Sequence, residues 1–196
     1  MENKDFNDYI EKVDNNTSNI YNAFYLWKNL KNANNNDIYN RYKYFWAITI
    51  SSLQFYWLLG IPKLFEESKK IKKEVISIPF LLKFIPEGKD KEKIKKEIDS
   101  QKPVVKNLRE GRNKILAHQD KIVADNIKDF YKEYPVKGKQ IEELLSSIAK
   151  ILGMIKSTTT NNKILYSFSL FKEGSKRDLD GIISKLIKDL EIIKRT

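Results

Sequence analysis

The residues best suited to chemistry lie together in the segment Leu108–Lys121, which contains Arg112, Asn113 and His118. His118 is the only histidine of the chain, and an imidazole can accept or release a proton near neutral pH. Arg112 carries a planar guanidinium that can hold a phosphate through two parallel hydrogen bonds. This pair suits chemistry on a phosphate ester, in which the imidazole moves a proton and the guanidinium stabilises negative charge.

The helix expected to carry this segment is interrupted at the same place. Gly111 and Asn113 are poor helix formers that together cost on the order of 1–2 kcal/mol relative to alanine, and such local rule-breaking often coincides with function. Six residues of ideal helix separate Arg112 from His118 by about 9 Å along the axis and roughly 120° around it. Either the helix ends before His118, or a second chain completes the site. We favour a homodimer, because a second copy would also supply a second imidazole.

Several other kinds of site are excluded by composition. The chain has no cysteine, which excludes disulfides, thiolate zinc sites and cysteine nucleophiles and agrees with a cytoplasmic location. A single histidine excludes a multi-histidine metal site within one chain. The seven glycines are scattered singly, so neither a dinucleotide-binding loop nor a P-loop can form. A carboxylate-only magnesium site stays open, although no acidic cluster stands out, and we expect neither a metal nor a cofactor.

The net charge favours a polyanionic partner. Lys and Arg number 37 against 26 Asp and Glu, which gives +11 and a pI near 9.5. Such a balance favours nucleic acid first and an anionic membrane second, although an AT-rich genome can also produce a lysine-rich chain. Residues 63–98 and 102–121 each carry a net charge of +4. The predicted RNA-binding side chains are Lys69, Lys70, Lys72, Lys73, Lys106, Arg109, Lys114 and Lys121.

The uncharged stretch Tyr44–Pro62 is about as long as a membrane-spanning helix, roughly 20 residues. Polar residues occupy its centre, however, and Gly60-Ile61-Pro62 ends it. A buried core or dimer helix is therefore favoured, without a membrane partner. Its aromatic residues could form a base-stacking platform, but a wide buried face packing on the first helix is favoured. The first five residues lack the apolar core of a signal peptide.

Apolar residues at helical spacing predict an all-α fold of six or seven helices. The first is predicted to start after Thr17-Ser18. A charged helix, Lys89–Asp99, precedes a motif helix that Ser100 caps. The apolar stripe between residues 141 and 155 is the cleanest in the chain and predicts a further helix.

The C-terminal part departs from this pattern. Residues 157–162 are polar and predict a linker. Apolar and polar residues alternate over residues 164–170, which predicts a single strand, and Ser175 can cap a last helix. We therefore predict a helical bundle over residues 1–157. Residues 158–196 would form an extended arm and a final helix that packs on the bundle or on a partner protomer.

The string Arg112-Asn113-Lys114 followed by Ala117-His118 and Asp120-Lys121 resembles the signature of the HEPN superfamily. It is particularly similar to the abortive-infection AbiU-like branch, as is the succession of a Phe24–Leu30 helix and a long aromatic helix. This resemblance implies a helical bundle that dimerises through the motif helix. It also implies metal-independent RNA cleavage in phage defence or in a toxin–antitoxin system, with Arg112 and His118 catalytic and Asn113 positioning them.

The resemblance also bears on regulation and leaves two functions open. Some toxins of this superfamily carry a tyrosine soon after the histidine, which a partner nucleotidyltransferase modifies, whereas Gln119 and Asp120 stand here. An antitoxin or a nucleotidyltransferase stays a possible partner. We expect an endoribonuclease that acts by internal transesterification and leaves a 2′,3′-cyclic phosphate. The alternative is a non-catalytic HEPN-like module that binds RNA or a partner protein.

Overall fold

Helices form wherever apolar residues recur every three or four positions. The computed structural model describes residues 3–32, 36–67, 75–117, 137–160 and 169–195. No strand occurs in these ranges, which confirms the predicted all-α fold. The helices are α1 (Asn3–Asn32), α2 (Asn36–Arg41), α3 (Lys43–Leu64), α4 (Ile78–Leu81), α5 (Lys89–Ala117), α6 (Gly138–Thr160) and α7 (Ser169–Arg195), and a 3-10 turn, Leu82–Phe84, follows α4.

The chain divides into two compact units. The first unit comprises Met1–Thr17 and Leu58–Ser167, and the second comprises Ser18–Trp57 and Phe168–Thr196. The motif helix α5 belongs to the first unit, whereas most of α3 belongs to the second. The division into a bundle over 1–157 and an arm over 158–196 stays a prediction.

The core of the first unit forms where α5 packs against α6. The α6 stripe is buried as predicted, and an ion pair between Lys150 and Glu97, at 2.8 Å, joins the two helices at the surface. Burying one such aliphatic side chain stabilises the fold by roughly 1.5–3 kcal/mol, so this packing fixes the helix that carries the motif. The buried α6 residues are Ile141, Leu144, Leu145, Ile148, Ile151, Leu152 and Ile155.

Helix α1 begins at Asn3, well before the predicted start at Thr17-Ser18. The earlier turns form because Phe6, Ile10 and Val13 continue the buried stripe towards the N-terminus. Thr17 lies inside the helix and is fully buried, and its Oγ1 donates a hydrogen bond to the carbonyl of Val13 at 2.7 Å. The hydroxyl is thus satisfied within the helix, and the prediction that it caps a helix was wrong.

The charged helix and the motif helix are one continuous helix, α5, and the predicted break at Ser100 was wrong. Ser100 donates a hydrogen bond to the carbonyl of Glu97 at 2.7 Å and does not cap a helix. Pro103 lies inside α5 and removes one backbone donor. The helix continues because Ile98 and Val105 carry its buried stripe across the proline.

The C-terminal part is more helical than the sequence suggested. Helix α6 continues to Thr160, and inside it the hydroxyls of Thr158 and Thr159 donate hydrogen bonds to the carbonyls of Met154 and Ile155, at 2.8 and 3.1 Å. Helix α7 begins at Ser169, and Ser175 lies inside it, where its hydroxyl accepts a hydrogen bond from Asn29 at 3.1 Å. The predicted linker and cap were therefore wrong at these positions. Residues 161–168, which carry most of the predicted strand, lie outside the described residues.

Aromatic residues build the core of the second unit. The Trp57 ring meets Phe24 and Trp27 of α1 edge-on, with centroids 5.6 and 5.2 Å apart. Helix α2 packs against α7, and the phenol of Tyr39 donates a hydrogen bond to the carbonyl of Leu30 at 2.8 Å. A second cluster contains Leu30, Ile38, Trp46, Leu179 and Ile183.

Helix α3 only partly fulfils the prediction of a wide buried face. It runs past Gly60 to Leu64, with Pro62 in its last turn. One side packs as expected, but only 22 % of its most apolar 18-residue window is buried. Within the described ranges, α3 alone is long and apolar enough to cross a membrane by length and composition.

Candidate functional site

Arg112 and Asn113 of the motif lie in the last turns of α5, next to buried residues of the same helix. Leu108 and Gly111 are buried, whereas Arg112 is half-buried and Asn113 is exposed. The poor helix propensity of this turn is therefore overcome by packing, and Arg112 is carried on a rigid element.

Asn113 holds the guanidinium of Arg112. Its side-chain oxygen Oδ1 accepts one hydrogen bond from Arg112 Nε at 3.1 Å and a second from Arg112 Nη2 at 3.0 Å. A guanidinium has five N–H groups, so these bonds engage two of them. The terminal edge formed by Nη1 and Nη2 still has N–H groups with which to meet a phosphate. The sequence predicted a positioning role for Asn113, and this contact is how it can act on Arg112.

A pocket of about 930 Å³ opens beside Arg112 within the first unit. Its volume is large enough for one or two nucleotides, since ligand sites commonly measure about 300–1,000 Å³. The wall is mostly apolar, and charged side chains surround it. The apolar lining is Phe65, Val75, Pro79, Ile98, Pro103 and Val105, and the charged lining is Glu66, Glu67, Lys102, Lys106, Arg109 and Arg112.

Among the residues that the structure describes, the four cations that line the pocket all lie on one face of α5. Lys102, Lys106, Arg109 and Arg112 follow one another at spacings of three or four residues, which align side chains along a helix. The row spans about 15 Å, at 1.5 Å per residue. A row of cations above an apolar wall can bind the phosphates of a single strand while the wall receives a base.

The cations differ in how far neighbouring carboxylates neutralise them. Lys102 pairs with Asp99 at 2.8 Å and with Glu67 at 3.4 Å, and Lys106 lies 3.7 Å from Glu110. The hydrogen bond to Asp99 is the main reason that the pKa of Lys102 is raised, so this ammonium stays charged at neutral pH.

Arg109 and Arg112 have no carboxylate within ion-pair distance among the residues that the structure describes. They are therefore the two cations of the pocket best placed to attract a phosphate.

Only part of the predicted site can be located. Arg112, Asn113, Arg109 and Lys106 lie together on α5 at the pocket or beside it, and Lys114 lies in the same helix. The remaining predicted residues lie outside the described residues, so their placement stays a prediction. These are His118, Lys121, Lys69, Lys70, Lys72 and Lys73.

The pocket itself was not predicted from the sequence. Its wall combines residues that directly follow α3, residues before and inside α4, and residues of α5. A partial signal exists on α5, where Ile98 and Val105 alternate with the cations on one face. Phe65 and Pro79 give no local signal, because only the tertiary fold brings them opposite α5.

An all-α chain whose helix α5 presents an Arg-Asn pair at a basic pocket is a helical module suited to binding an anionic ligand. The family model of AbiU2, a family of HEPN domains, matches residues 3–180. Because this match covers most of the chain, the protein belongs to the AbiU2 family of the HEPN superfamily, and it is an abortive-infection-related HEPN module. No curated protein and no solved structure matches the chain.

Proposed function

We propose that this protein is a metal-independent endoribonuclease of a defence or toxin–antitoxin system. The observation that carries the proposal is the Arg112 guanidinium, which Asn113 holds in place at the edge of a basic, partly apolar pocket. Membership of the AbiU2 family supports the setting, since it makes the chain an abortive-infection-related module. The +11 net charge favours RNA as the substrate.

The reaction is an internal transesterification. His118 accepts the proton of a ribose 2′-OH, and the 2′-oxygen forms a new bond to the adjacent phosphorus. The bond from phosphorus to the 5′-oxygen breaks, and that oxygen takes up a proton. Arg112 stabilises the charge on the phosphate oxygens as this exchange proceeds. The products are a 2′,3′-cyclic phosphate and a 5′-OH end.

RNA binding and assembly follow from the same arrangement. Arg109 and Lys106 hold the phosphates that flank the scissile one, while the apolar wall receives a base. Lys114, Lys121 and the lysine run at 69–73 extend the basic path. Two copies act as a homodimer in the cytoplasm with their motifs at a shared cleft, which supplies two imidazoles. An antitoxin that binds the protein is the partner proposed to silence it, since Gln119 and Asp120 stand where a nucleotidyltransferase would need a tyrosine.

The test measures cleavage of RNA by the purified protein in EDTA. Arg112→Ala and His118→Ala should each lower cleavage by about 10²–10⁴-fold, with unchanged melting temperatures. Arg177→Ala is the matched control, because Arg177 is an exposed arginine on α7 and should be dispensable. Enzymatic analysis of the ends should find a cyclic phosphate on the 5′ fragment.

Full cleavage by His118→Ala would end the ribonuclease assignment. If the wild type binds RNA without cutting it, and Arg112→Ala weakens that binding, the protein is the non-catalytic module instead. If both variants lose stability to the same extent as activity, the two residues serve the fold or the dimer interface. Loss of cleavage in EDTA that Mg²⁺ restores would overturn the metal-independent mechanism.

A further inference from the structure

Helix α3 leaves a large apolar face uncovered within the second unit. Tyr44, Ile48 and Phe45 are 75 %, 69 % and 61 % exposed, and Phe55 and Tyr56 are also exposed. Such fractions are unusual for five large apolar side chains on one helix, because contiguous apolar patches on soluble monomers are normally small. The opposite side of α3 carries Trp46 and Trp57 and is buried.

The exposed residues form one continuous strip. At 100° per residue, the positions from Ala47 round to Tyr56 cover about half of the helix circumference. No charged residue interrupts them, because Ala47, Ser51 and Ser52 are the other exposed positions of this strip. Half of the helix surface is therefore free of charge, and the opposite side is buried. A helix that is apolar nearly all round is normally buried on all sides, so the exposed half is expected to bind a partner.

The order of side chains along the strip is self-complementary. Tyr44-Phe45 near one end is repeated in reverse as Phe55-Tyr56 near the other, with the midpoint at residue 50. If a second α3 lies antiparallel across the strip with its midpoint at residue 50, residues 44 and 45 of one copy lie at the same height as residues 56 and 55 of the other, so the aromatic ends of the two strips come together. Ile48 of each copy then lies opposite Ser52 of the other. A two-fold contact requires such pairing of a surface with itself.

The size of the strip is sufficient for a dimer. With 150–250 Å² for a complete aromatic side chain, the exposed fractions of the strip amount to roughly 600 Å² per copy. Two copies would bury roughly 1,200 Å², the lower bound for specific protein interfaces. The central serines also suit a protein partner, because their hydroxyls can form hydrogen bonds with a second helix but not with lipid tails.

We infer that the strip from Tyr44 to Tyr56 binds the same strip of a second copy of this chain in an antiparallel helix pair. The small residues Ala47, Ser51 and Ser52 allow the two helices to approach closely, and the aromatic pairs close the contact at both ends. The contact belongs to the second unit, whereas Arg112 and its pocket belong to the first. It therefore stands independently of the proposed cleavage.

The first experiment measures molar mass by light scattering at micromolar concentration. The double variant Ile48→Glu, Phe55→Glu should have half the mass of the wild type, because four carboxylates cannot be buried in one small contact. The expected change is from tetramer to dimer where the proposed contact between motifs also forms, and from dimer to monomer where it does not. The matched control is Asn19→Glu, Asn22→Glu, which adds the same charge at two exposed positions of α1 and should keep the wild-type mass. Circular dichroism should show the same helix content in all three proteins.

A second experiment introduces no charge into the strip and tests its register. The chain has no cysteine, so a single introduced cysteine is unique. Under mild oxidation Ser51→Cys should cross-link two copies, because residue 51 lies next to the midpoint. Tyr44→Cys should not cross-link, since the two copies of residue 44 are about 18 Å apart along the paired helices.

Several results would overturn the inference. They are a wild type of monomer mass, a double variant with unchanged mass, and cross-linking through residue 44 but not residue 51. A third experiment, flotation with phosphatidylcholine vesicles, tests whether the strip binds lipid instead. If the wild type floats at unchanged oligomeric mass and the double variant does not, the strip binds lipid and not a second copy. These readouts do not depend on ribonuclease activity.

Discussion

Asn113→Ala provides the most direct test of how the site is organised. The substitution removes the oxygen that accepts two hydrogen bonds from Arg112, at 3.1 and 3.0 Å, and leaves the guanidinium itself in place. Arg112 then samples more rotamers, and it must be ordered again each time a phosphate binds. An arginine side chain carries about 2 kcal/mol of rotamer entropy, which sets the upper limit of the effect.

The expected loss follows from these contacts. Hydrogen bonds to charged groups contribute about 1.5–3 kcal/mol when they are shielded, but Asn113 is exposed, so water competes for both partners. We expect a remaining effect of about 1 kcal/mol, which corresponds to a roughly five- to tenfold loss of kcat/KM and of RNA affinity. This loss is smaller than the effect expected for Arg112→Ala.

The stability of the same variant should change in the opposite direction. Alanine is the better helix former by roughly 0.6 kcal/mol, so the melting temperature should stay equal or rise by about 1–2 °C. Asn22→Ala is the matched control, because Asn22 is an exposed asparagine inside α1. It should share the gain in stability and keep wild-type cleavage and affinity. RNA affinity, cleavage rate and calorimetric melting together separate the two effects.

Unchanged affinity and cleavage in Asn113→Ala would refute the reasoning, since Arg112 would then be oriented by something else. A lowered melting temperature would show that Asn113 serves the fold. Asn113→Asp gives a further distinction, because a carboxylate still accepts both hydrogen bonds but competes with phosphate for Arg112. This variant should bind RNA more weakly than Asn113→Ala, and tighter binding would contradict the proposed role of the guanidinium.

Two further predictions concern binding and stability. Replacing Lys106 and Arg109 with Gln should lower the slope of log affinity for RNA against log salt concentration by roughly 1.4, at about 0.7 per phosphate contact. The same change at the exposed Lys185 and Lys188 of α7 should leave this slope unchanged. An equal reduction in both variants would show that only net charge matters. Lys156→Met should lower the free energy of unfolding in urea by about 1–3 kcal/mol, because it leaves the half-buried carboxylate of Asp14 without its ion-pair partner. Asp14→Leu combined with Lys156→Leu should recover most of the loss. Equal losses in the single and double variants would show that the ion pair is not the cause.

Local patterns predicted the type of each long helix better than its ends. The α6 stripe was identified because seven apolar residues recur on one helix face, and all seven are buried. The starts of α1 and α7 and the break at Ser100 were wrong for one shared reason. Serine and threonine hydroxyls can cap a helix or bond back to a carbonyl inside it, and only the burial of neighbouring residues selects between the two.

Some residues of the site could be predicted from the sequence, and others could not. Arg112, Asn113 and Arg109 could be selected from the sequence because their side-chain chemistry is local and their spacing is visible. The hydrogen bonds from Arg112 to Asn113 also link adjacent residues, but their geometry depends on the backbone that α5 adopts. The pocket could not be selected, because Phe65 and Pro79 reach it through contacts that are distant in sequence.

The all-α class, the basic charge and the resemblance of the motif to the AbiU-like branch could be predicted from the sequence alone. These properties depend on residue types and on spacings within one helix, which local physics fixes. The tertiary structure alone decided that an apolar pocket accompanies Arg112 and that α3 is covered on one side only. The sequence of an apolar helix does not show whether its second face packs on the protein's own core or on another surface. That depends on how the rest of the chain folds around it.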